Sequence, residues 1–268
     1  MKLNEVAITR LINQQISLSH FKSVKELVSW MGAMQAQDFP MVQWAAGLRL
    51  PGLTEEAIKD AFNDADILRT HLLRPTWHLV AADDIYWILK LSAPQIKSSM
   101  RSRSRSLGLT ESVLAKTNII IEEALSATEY LTRQEMVVLL EKNKIKNEDN
   151  RAAHVIMNAE LDGIICSGKI VKNKQTYALL SKRVKQPAKI NRDEALARLA
   201  SKYFQSHSPA TLEDFRWWSG LGIKDARKAI SLIHADLITE KINSTEFYAS
   251  NNQVAGLNDS HVDRKSVV

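Results

Sequence analysis

Two glutamines, Gln35 and Gln37, stand two residues apart in a short, largely apolar segment. A carboxamide is not an effective base near neutral pH, but its carbonyl oxygen accepts hydrogen bonds and its dipole favours nearby positive charge. If both oxygens face the same way, they can hold and orient one water molecule. The alternative is a structural role, in which the two amides tie down a loop by bonding to main-chain groups.

The local sequence indicates that this pair lies on an extended segment, the glutamine strap (residues 34–38). Side chains two residues apart diverge by about 200° on a helix, but they point the same way in a strand. Pro40 disfavours a helical conformation in the residue before it, and Gly32 weakens the turn that precedes the pair. We therefore predict that a helix beginning at Ser23 ends near Met34 and that both carboxamides face one side of the strap.

Three further polar residues are candidates for supporting roles. Asp38 is the nearest ionisable group and could orient Gln37 or hold water, although an Asp beside a proline turn is more often a helix cap. Thr76 and His78 share one face of a predicted strand, with Trp77 on the other face, and could approach a phosphate. The alternative for His78 is a structural hydrogen bond within a hairpin.

Basic side chains form three clusters that suit phosphate groups. The chain has 36 Lys and Arg against 30 Asp and Glu, a formal net charge of +6 and a pI near 9.3. This balance favours an acidic partner, nucleic acid above all. Any one cluster alone is more simply explained as a solvated surface, and it is the three together that favour nucleic acid. The clusters are Arg101, Arg103 and Arg105; Lys169, Lys172 and Lys174; and Lys224, Arg227 and Lys228.

The composition is typical of a soluble globular protein, with 45% hydrophobic and 25% charged residues among 268. No stretch approaches the ~18–20 apolar residues of a membrane span, and the first residues lack the apolar block of a secretory signal. Cys166 is the one cysteine of the sequence, which excludes an internal disulfide and a multi-cysteine metal site. We predict a cytoplasmic protein without metal or cofactor.

Three capping boxes indicate an internal repeat. In such a box the hydroxyl of the residue that starts a helix accepts a hydrogen bond from the amide three residues later. The acidic side chain of that later residue accepts in return from the amide of the first. Each box follows an amphipathic helix, and each is succeeded by an apolar run at helical spacing, a further helix and segments with β character. The boxes begin at Ser23, Thr132 and Thr211.

Helix, helix, helix and β-hairpin is the order of a winged helix. It predicts a mainly α fold with small β-hairpins, in the α+β class, built from three tandem winged-helix units that form a curved DNA-binding scaffold. The predicted units are residues 1–108, which include the glutamine strap and a trailing helix, 109–185 and 186–250. Residues 251–268 are predicted to be a loose or truncated tail.

Three segments carry a more specific signal: LVSWMGAMQAQ (27–37), LRPTWHLV (73–80) and SHSPATLEDFRWWSGL (206–221). They resemble the AlkZ-like family of bacterial winged-helix proteins, which includes DNA glycosylases that remove alkylated purines and unhook interstrand crosslinks. The resemblance extends from about Leu3 to Phe247. Family members usually continue into a longer β-rich C-terminal region, whereas this chain stops at Val268, so we expect a weaker grip on DNA or a truncated member.

The resemblance implies that the Gln-apolar-Gln motif, here Gln35, Ala36 and Gln37, is catalytic. It implies a monofunctional DNA glycosylase that hydrolyses the N-glycosidic bond of N7-alkylated purines, with interstrand crosslinks as further substrates. Such a purine carries positive charge and departs as a neutral base, so a water held by two glutamines could replace the carboxylates of ordinary glycoside hydrolysis. The expected partner is alkylated or crosslinked double-stranded DNA, bound by a monomer without cofactor or membrane.

Two other classes of function stay open at this point. A winged-helix protein can bind DNA as a regulator or architectural protein without doing chemistry, because a fold does not imply a function. The hairpins could also face another protein. Release of a base from alkylated DNA distinguishes a glycosylase from a DNA-binding protein without chemistry. Salt-sensitive binding to a duplex argues against a module that binds another protein.

Overall fold

Helices and short strands alternate along residues 3–251, the part of the chain that the computed structural model describes. We call residues 3–106 the first region. Its elements are α1 (Leu3–Asn13), α2 (Val24–Met31), β1 (Met34–Gln35), α3 (Phe39–Arg49), α4 (Glu55–Asn63), β2 (Ile67–His71), β3 (Trp77–Ala81) and the long helix α5 (Ala82–Ser106).

The second region (residues 111–183) and the third region (residues 192–250) are built in a similar order. The second contains α6 (Glu111–Ala127), β4 (Leu131–Thr132), α7 (Arg133–Lys142), a 3₁₀ turn (Glu148–Asn150), α8 (Arg151–Leu161), β5 (Ile165–Ser167), β6 (Thr176–Leu179) and α9 (Leu180–Arg183). The third contains α10 (Arg192–His207), α11 (Leu212–Ser219), α12 (Ile223–Leu232), a 3₁₀ turn (His234–Asp236), β7 (Leu237–Ile242) and β8 (Thr245–Ser250).

The strands form small antiparallel sheets. In the first region β3 lies between β1 and β2, in the second β6 lies between β4 and β5, and in the third β7 pairs with β8. An isolated antiparallel bridge also joins Ala210, just before α11, to Tyr248 of β8. The predicted α+β class, mainly helical with small hairpins, is confirmed. The assignment of the three regions as winged helices stays a prediction, as do the boundaries at 108 and 185.

All three capping boxes are present. Ser23 Oγ accepts from the amide of Glu26 at 3.2 Å, and Glu26 Oε2 accepts from the amide of Ser23 at 3.1 Å. Thr132 and Thr211 form the same reciprocal pairs at the starts of α7 and α11. These side chains satisfy amide groups that the helix itself leaves without partners.

The boxes do not occupy equivalent positions in the three regions. The Ser23 box begins α2, which precedes β1, whereas the Thr132 and Thr211 boxes begin helices that follow a strand or a bridge. The counterpart of these two in the first region is Asp38, whose Oδ1 accepts from the amide of Met41 at 3.2 Å at the start of α3. Helix α3 is an element that the sequence analysis did not predict.

Three hydrophobic clusters form most of the core. One belongs to the first region around α2, and another belongs to the second region around α6, α7 and α8. The largest combines Leu68 and Leu72 of the first region, Ile85 and Ile88 of α5, and Leu196 of α10 with much of the third region. The third region therefore packs directly on the first, although the second separates them in sequence.

Helix α5 lies at the centre of this arrangement. It is the helix predicted to trail the first region and pack on it, but it also packs against α8 and α10. Hydrogen bonds from Arg10 to the carbonyl of Pro209, and from Asn13 to that of Ser208, add a second seam between the first and third regions. A strictly serial arrangement of three units therefore does not describe the packing.

No helix in the described residues combines the length and the apolar character that a membrane crossing requires. Of the predicted tail, residues 252–268 lie outside the described part of the chain.

Candidate functional site

The glutamine strap leaves the helix earlier than its sequence predicts. Helix α2 ends at Met31, because Gly32 caps it with a φ of 72° that favours glycine. Gln35 then pairs with His78 of β3, and the amide of Ala36 donates to the carbonyl of Trp77 at 2.7 Å. The strap is thus an edge strand whose conformation is set by β3.

Both glutamine side chains are exposed, and Ala36 between them is fully buried. This alternation is what an extended segment produces when one of its faces packs on a core. The two carboxamides therefore face the same outer side of the strap.

Each glutamine oxygen already accepts one hydrogen bond from the protein. Gln35 Oε1 accepts from Arg74 Nη2 at 3.1 Å, and Gln37 Oε1 accepts from the main-chain amide of Trp77 at 3.3 Å. A carbonyl oxygen has two lone pairs, so each keeps one acceptor position for another donor. The bond to Trp77 is also the kind of main-chain contact that the structural alternative expects of Gln37.

Arg69 on β2 anchors the strap from below. It donates to the carbonyl of Ala36 at 2.9 Å, to that of Gln37 at 3.2 Å, and to Gln175 Oε1 at 2.6 Å. Its guanidinium carbon lies 4.3 Å from the ring centroid of Trp77. Burial lowers the pKa of Arg69 from its ordinary value. One guanidinium thus joins the strap, β3 and a loop of the second region.

A buried carboxylate holds Trp77 in turn. Glu160 of α8 is fully buried, accepts from Trp77 Nε1 at 3.3 Å and makes a short contact with His71 Nδ1. The ring centroids of His71 and Trp77 lie 4.5 Å apart. Glu160 therefore links the second region to the strand that positions the strap.

An open cleft of about 750 Å³ lies beside the strap. Its polar wall consists of Gln35, Gln37, Asp38, Arg69 and Gln175. The remaining lining residues are apolar and belong to α3: Phe39, Met41, Val42 and Ala45. The cleft can accept a flat, partly apolar group next to the two carboxamides.

The predicted supporting residues fall into different environments. Asp38 lines the cleft and caps α3, so it has the capping role that the sequence analysis weighed. Thr76 lies in the turn before β3 rather than on the strand. His78 is only 3% exposed, its Nδ1 lies 2.9 Å from the carbonyl oxygen of Thr76, and burial lowers its pKa to about 4. The structural alternative therefore describes His78, which does not reach the surface.

The first basic cluster lies on the C-terminal half of α5, away from the strap. Arg101, Arg103 and Arg105 are exposed. Arg101 and Arg105 line a separate cleft of about 860 Å³ between α5, α6 and α8, and Arg103 donates to the carbonyl of Asp149 at 3.3 Å.

The second basic cluster lies on the loop between β5 and β6, which we call the middle loop (residues 168–175). The loop reverses direction at Lys172 and Asn173, whose φ angles are positive. Lys172 and Lys174 are exposed, and Lys169 pairs with Glu129 at 3.0 Å. Because Gln175 contacts Arg69, this loop adjoins the cleft.

The third basic cluster lies on α12. Lys224, Arg227 and Lys228 are all exposed, and Lys228 pairs with Asp193 Oδ1 at 2.6 Å. The structure therefore brings the middle loop, but not the other two clusters, to the cleft beside the strap, through the contact of Gln175 with Arg69.

Sequence reasoning assigned no role to four residues that the structure connects to the strap: Arg69, Arg74, Glu160 and Gln175. A signal was available for Glu160, since an acid on the apolar face of a predicted helix needs a buried partner. The others are ordinary polar residues of strands and loops, and only the tertiary structure places them together. Among residues 3–251, no group of His, Cys, Asp and Glu is arranged to hold a metal ion.

Comparison with known proteins gives consistent matches. The family described as DNA glycosylase AlkZ-like matches residues 28–264. An interstrand DNA cross-link repair glycosylase of Streptomyces sahachiroi is 24% identical over 209 residues, which are 74% of this chain and 55% of that protein. The chain thus spans about half the length of the curated relative that it matches.

A solved structure gives the same result for the fold. The Streptomyces sahachiroi DNA glycosylase AlkZ superposes with a TM-score of 0.79 at 20% sequence identity, over 95% of this chain and 71% of that chain. At this identity the likeness concerns the fold alone.

Proposed function

The chain belongs to the AlkZ-like family of DNA glycosylases, and from that premise we propose that it hydrolyses the N-glycosidic bond of N7-alkylated purines in double-stranded DNA. The observation that carries the proposal is the outward-facing pair Gln35 and Gln37, which lines an open cleft. The enzyme would be monofunctional and would leave an abasic site.

The chemistry asks little of the protein, because the substrate is already activated. An N7-alkylated purine is cationic, so when the bond between C1′ and N9 breaks, its electron pair neutralises the departing base. The sugar is left with oxocarbenium character, and a water oxygen then bonds to C1′ and releases its proton to solvent through the open cleft. The protein has to hold the water and stabilise the developing positive charge.

The two glutamines suit that task. Each oxygen retains one lone pair beside its bond to Arg74 or to the amide of Trp77, so one water can donate to both. The carbonyl dipoles then point toward the sugar, where positive charge develops. Asp38 supports the arrangement by capping α3 beside the strap.

We extend the proposal to purines that carry large adducts, including interstrand crosslinks. The Streptomyces sahachiroi relative is named for cross-link repair, and the cleft here is open and has an apolar wall on α3. A site that encloses an extruded base would exclude a crosslinked partner strand, whereas an open one does not. The exposed basic residues of the middle loop and of helices α5 and α12 would bind phosphates, with the protein acting as a monomer.

The test uses a duplex with one N7-methylguanine and measures alkali-labile abasic sites under single-turnover conditions. We expect release of the base by the wild-type protein. Q35A and Q37A should each lower the rate, and the double variant should lower it by about 10²–10³-fold with little change in duplex affinity, as for the loss of preorganised dipoles. Gln95, exposed on α5, provides the control Q95A, which should keep the wild-type rate. Full activity of the double variant would remove the glutamines from the mechanism.

One observation favours a second function, DNA binding without chemistry. The bond between Gln37 Oε1 and the amide of Trp77 is a loop-fixing contact of the kind seen in purely structural amides. This alternative expects wild-type protein that binds the duplex in a salt-dependent way and releases no base from it.

A further inference from the structure

Arg74 stands between the glutamine strap and the third region. It lies in the turn between β2 and β3, and its Nη2 donates to Gln35 Oε1 at 3.1 Å. The carbon at the centre of its guanidinium lies 4.2 Å from the ring centroid of Trp217 on α11. Its Nε atom is buried and finds no hydrogen-bond partner among residues 3–251. The contacts to Gln35 and to the indole therefore define the position of the guanidinium.

Trp217 is 71% exposed, the highest value of any large apolar side chain in the described residues. Its neighbour Trp218 packs against the core and lies at a tilt beside Tyr203, with ring centroids 5.0 Å apart. Core packing thus explains Trp218 but not Trp217. An exposed indole covered by a guanidinium is a cation–π contact, which restricts the rotation of the Arg side chain.

The position of Trp217 relative to Arg74 is set by a close main-chain approach. Gly220, two residues after the pair of tryptophans, caps α11 with a φ of 70°. A Cβ atom at this position would lie 2.2 Å from the carbonyl oxygen of Leu73 and 3.4 Å from Arg74 Cγ. The end of α11 is therefore seated directly on the turn that carries Arg74.

We propose that Trp217 is a positioning residue for Gln35, which it controls through Arg74; this inference rests on the function proposed above. Stacking on the indole holds the guanidinium where its N–H group meets Gln35. That donor selects the oxygen, rather than the amide nitrogen, of the carboxamide and fixes its plane. Without the indole the guanidinium would sample other rotamers, and the acceptor that holds the water would lose its defined direction.

The competing role is direct contact with DNA, since an exposed tryptophan can stack on an unpaired base. The two roles differ in what they change. A DNA contact affects the affinity for the duplex, whereas a positioning residue affects the rate of the bound complex and leaves the affinity nearly unchanged.

The experiment measures single-turnover base release and duplex affinity on the N7-methylguanine duplex for W217A, W217F and R74A. We expect W217A to lower the rate about 3- to 10-fold at unchanged affinity, in line with the loss of one cation–π contact, and W217F to restore most of it. The double variant W217A/R74A should be no slower than R74A alone, because Trp217 is proposed to act on Gln35 only through Arg74. The control is L232A, which removes another exposed apolar side chain of the third region.

A second measurement does not depend on activity. In ¹⁵N NMR spectra, the side-chain amide signals of Gln35 are identified by their absence in Q35A, and we expect them to shift in W217A and to return in W217F. A shift without any base release by the wild type would support the positioning contact and reject the proposed function. An active wild type whose rate and Gln35 signals are both unchanged in W217A would overturn the inference, and so would a loss of affinity alone.

Discussion

At the scale of single residues, both proposed catalytic oxygens are held by donors that are distant in sequence. The spacing of Gln35 and Gln37 was enough to predict two side chains on one face of an extended strap. It was not enough to predict Arg74 or Trp77 as their partners, because these approach only when β3 pairs with β1. Types and spacing thus indicated the candidate site, and tertiary structure was needed for its hydrogen bonds.

His78 provides a prediction about pH. Burial lowers its pKa to about 4 from the ordinary 6.5. Between these two pH values, His78 is therefore protonated in the unfolded chain and neutral in the folded chain. The free energy of unfolding therefore falls as the pH falls through this window, and His78 accounts for about 2 kcal/mol of the loss between pH 7 and pH 5. Urea unfolding at both pH values checks this.

The matched variant is H78N, which keeps a polar atom near the position of Nδ1 but does not titrate. Between pH 7 and pH 5, the free energy of unfolding of H78N should fall by about 2 kcal/mol less than that of the wild type. Equal declines for both proteins would contradict the assignment of His78 as a buried neutral base.

At the scale of elements, local rules predicted most helices, and the failure to predict α3 has an instructive cause. Capping boxes marked the starts of α2, α7 and α11. Pro40 was interpreted as the end of a helical stretch, whereas it lies in the first turn of α3, after the cap Asp38. Proline is tolerated there because the first amides of a helix have no partner within it. The same residue can end one element or begin the next.

Gly220 and Gly47 form a matched pair of glycines for a test of stability. G220A combines a positive φ with a Cβ atom 2.2 Å from the carbonyl oxygen of Leu73, so we expect it to lower the free energy of unfolding by about 2–4 kcal/mol. Gly47 lies within α3, where an added Cβ would meet no described atom within 4 Å, so G47A should raise it by about 0.5–1 kcal/mol. Denaturant unfolding compares the two. A neutral G220A would mean that α11 is not seated on the turn.

At the scale of the whole molecule, the sequence analysis expected three units in series, and the packing connects the first and third regions directly. Hydrophobic periodicity shows which face of a helix is buried, but it does not show which distant helix covers that face. For this reason the sequence predicted the elements of each region but not the shared core. It also could not predict that the middle loop would reach the cleft through Gln175 and Arg69.

The location of the middle loop leads to a prediction about DNA binding. Lys172 and Lys174 are exposed on a loop that adjoins the cleft, so their joint replacement by Ala should reduce the slope of log affinity against log salt by about 2. Lys185 and Lys189 are exposed in the segment between the second and third regions, and their joint replacement changes the net charge equally. Titration of a labelled duplex at several salt concentrations compares the pairs. Equal effects would mean that overall charge, rather than contact at the loop, explains binding.

The core shared by Leu68, Ile85 and Leu196 also has a consequence for how the protein is made. During synthesis on the ribosome, the early part of the chain emerges long before α10 does, and its apolar core lacks in that interval the cover that α10 supplies. Completion of this core awaits the release of nearly the whole polypeptide, since contacts distant in sequence form late. Chaperone dependence of the nascent protein should consequently end only with the last third of translation.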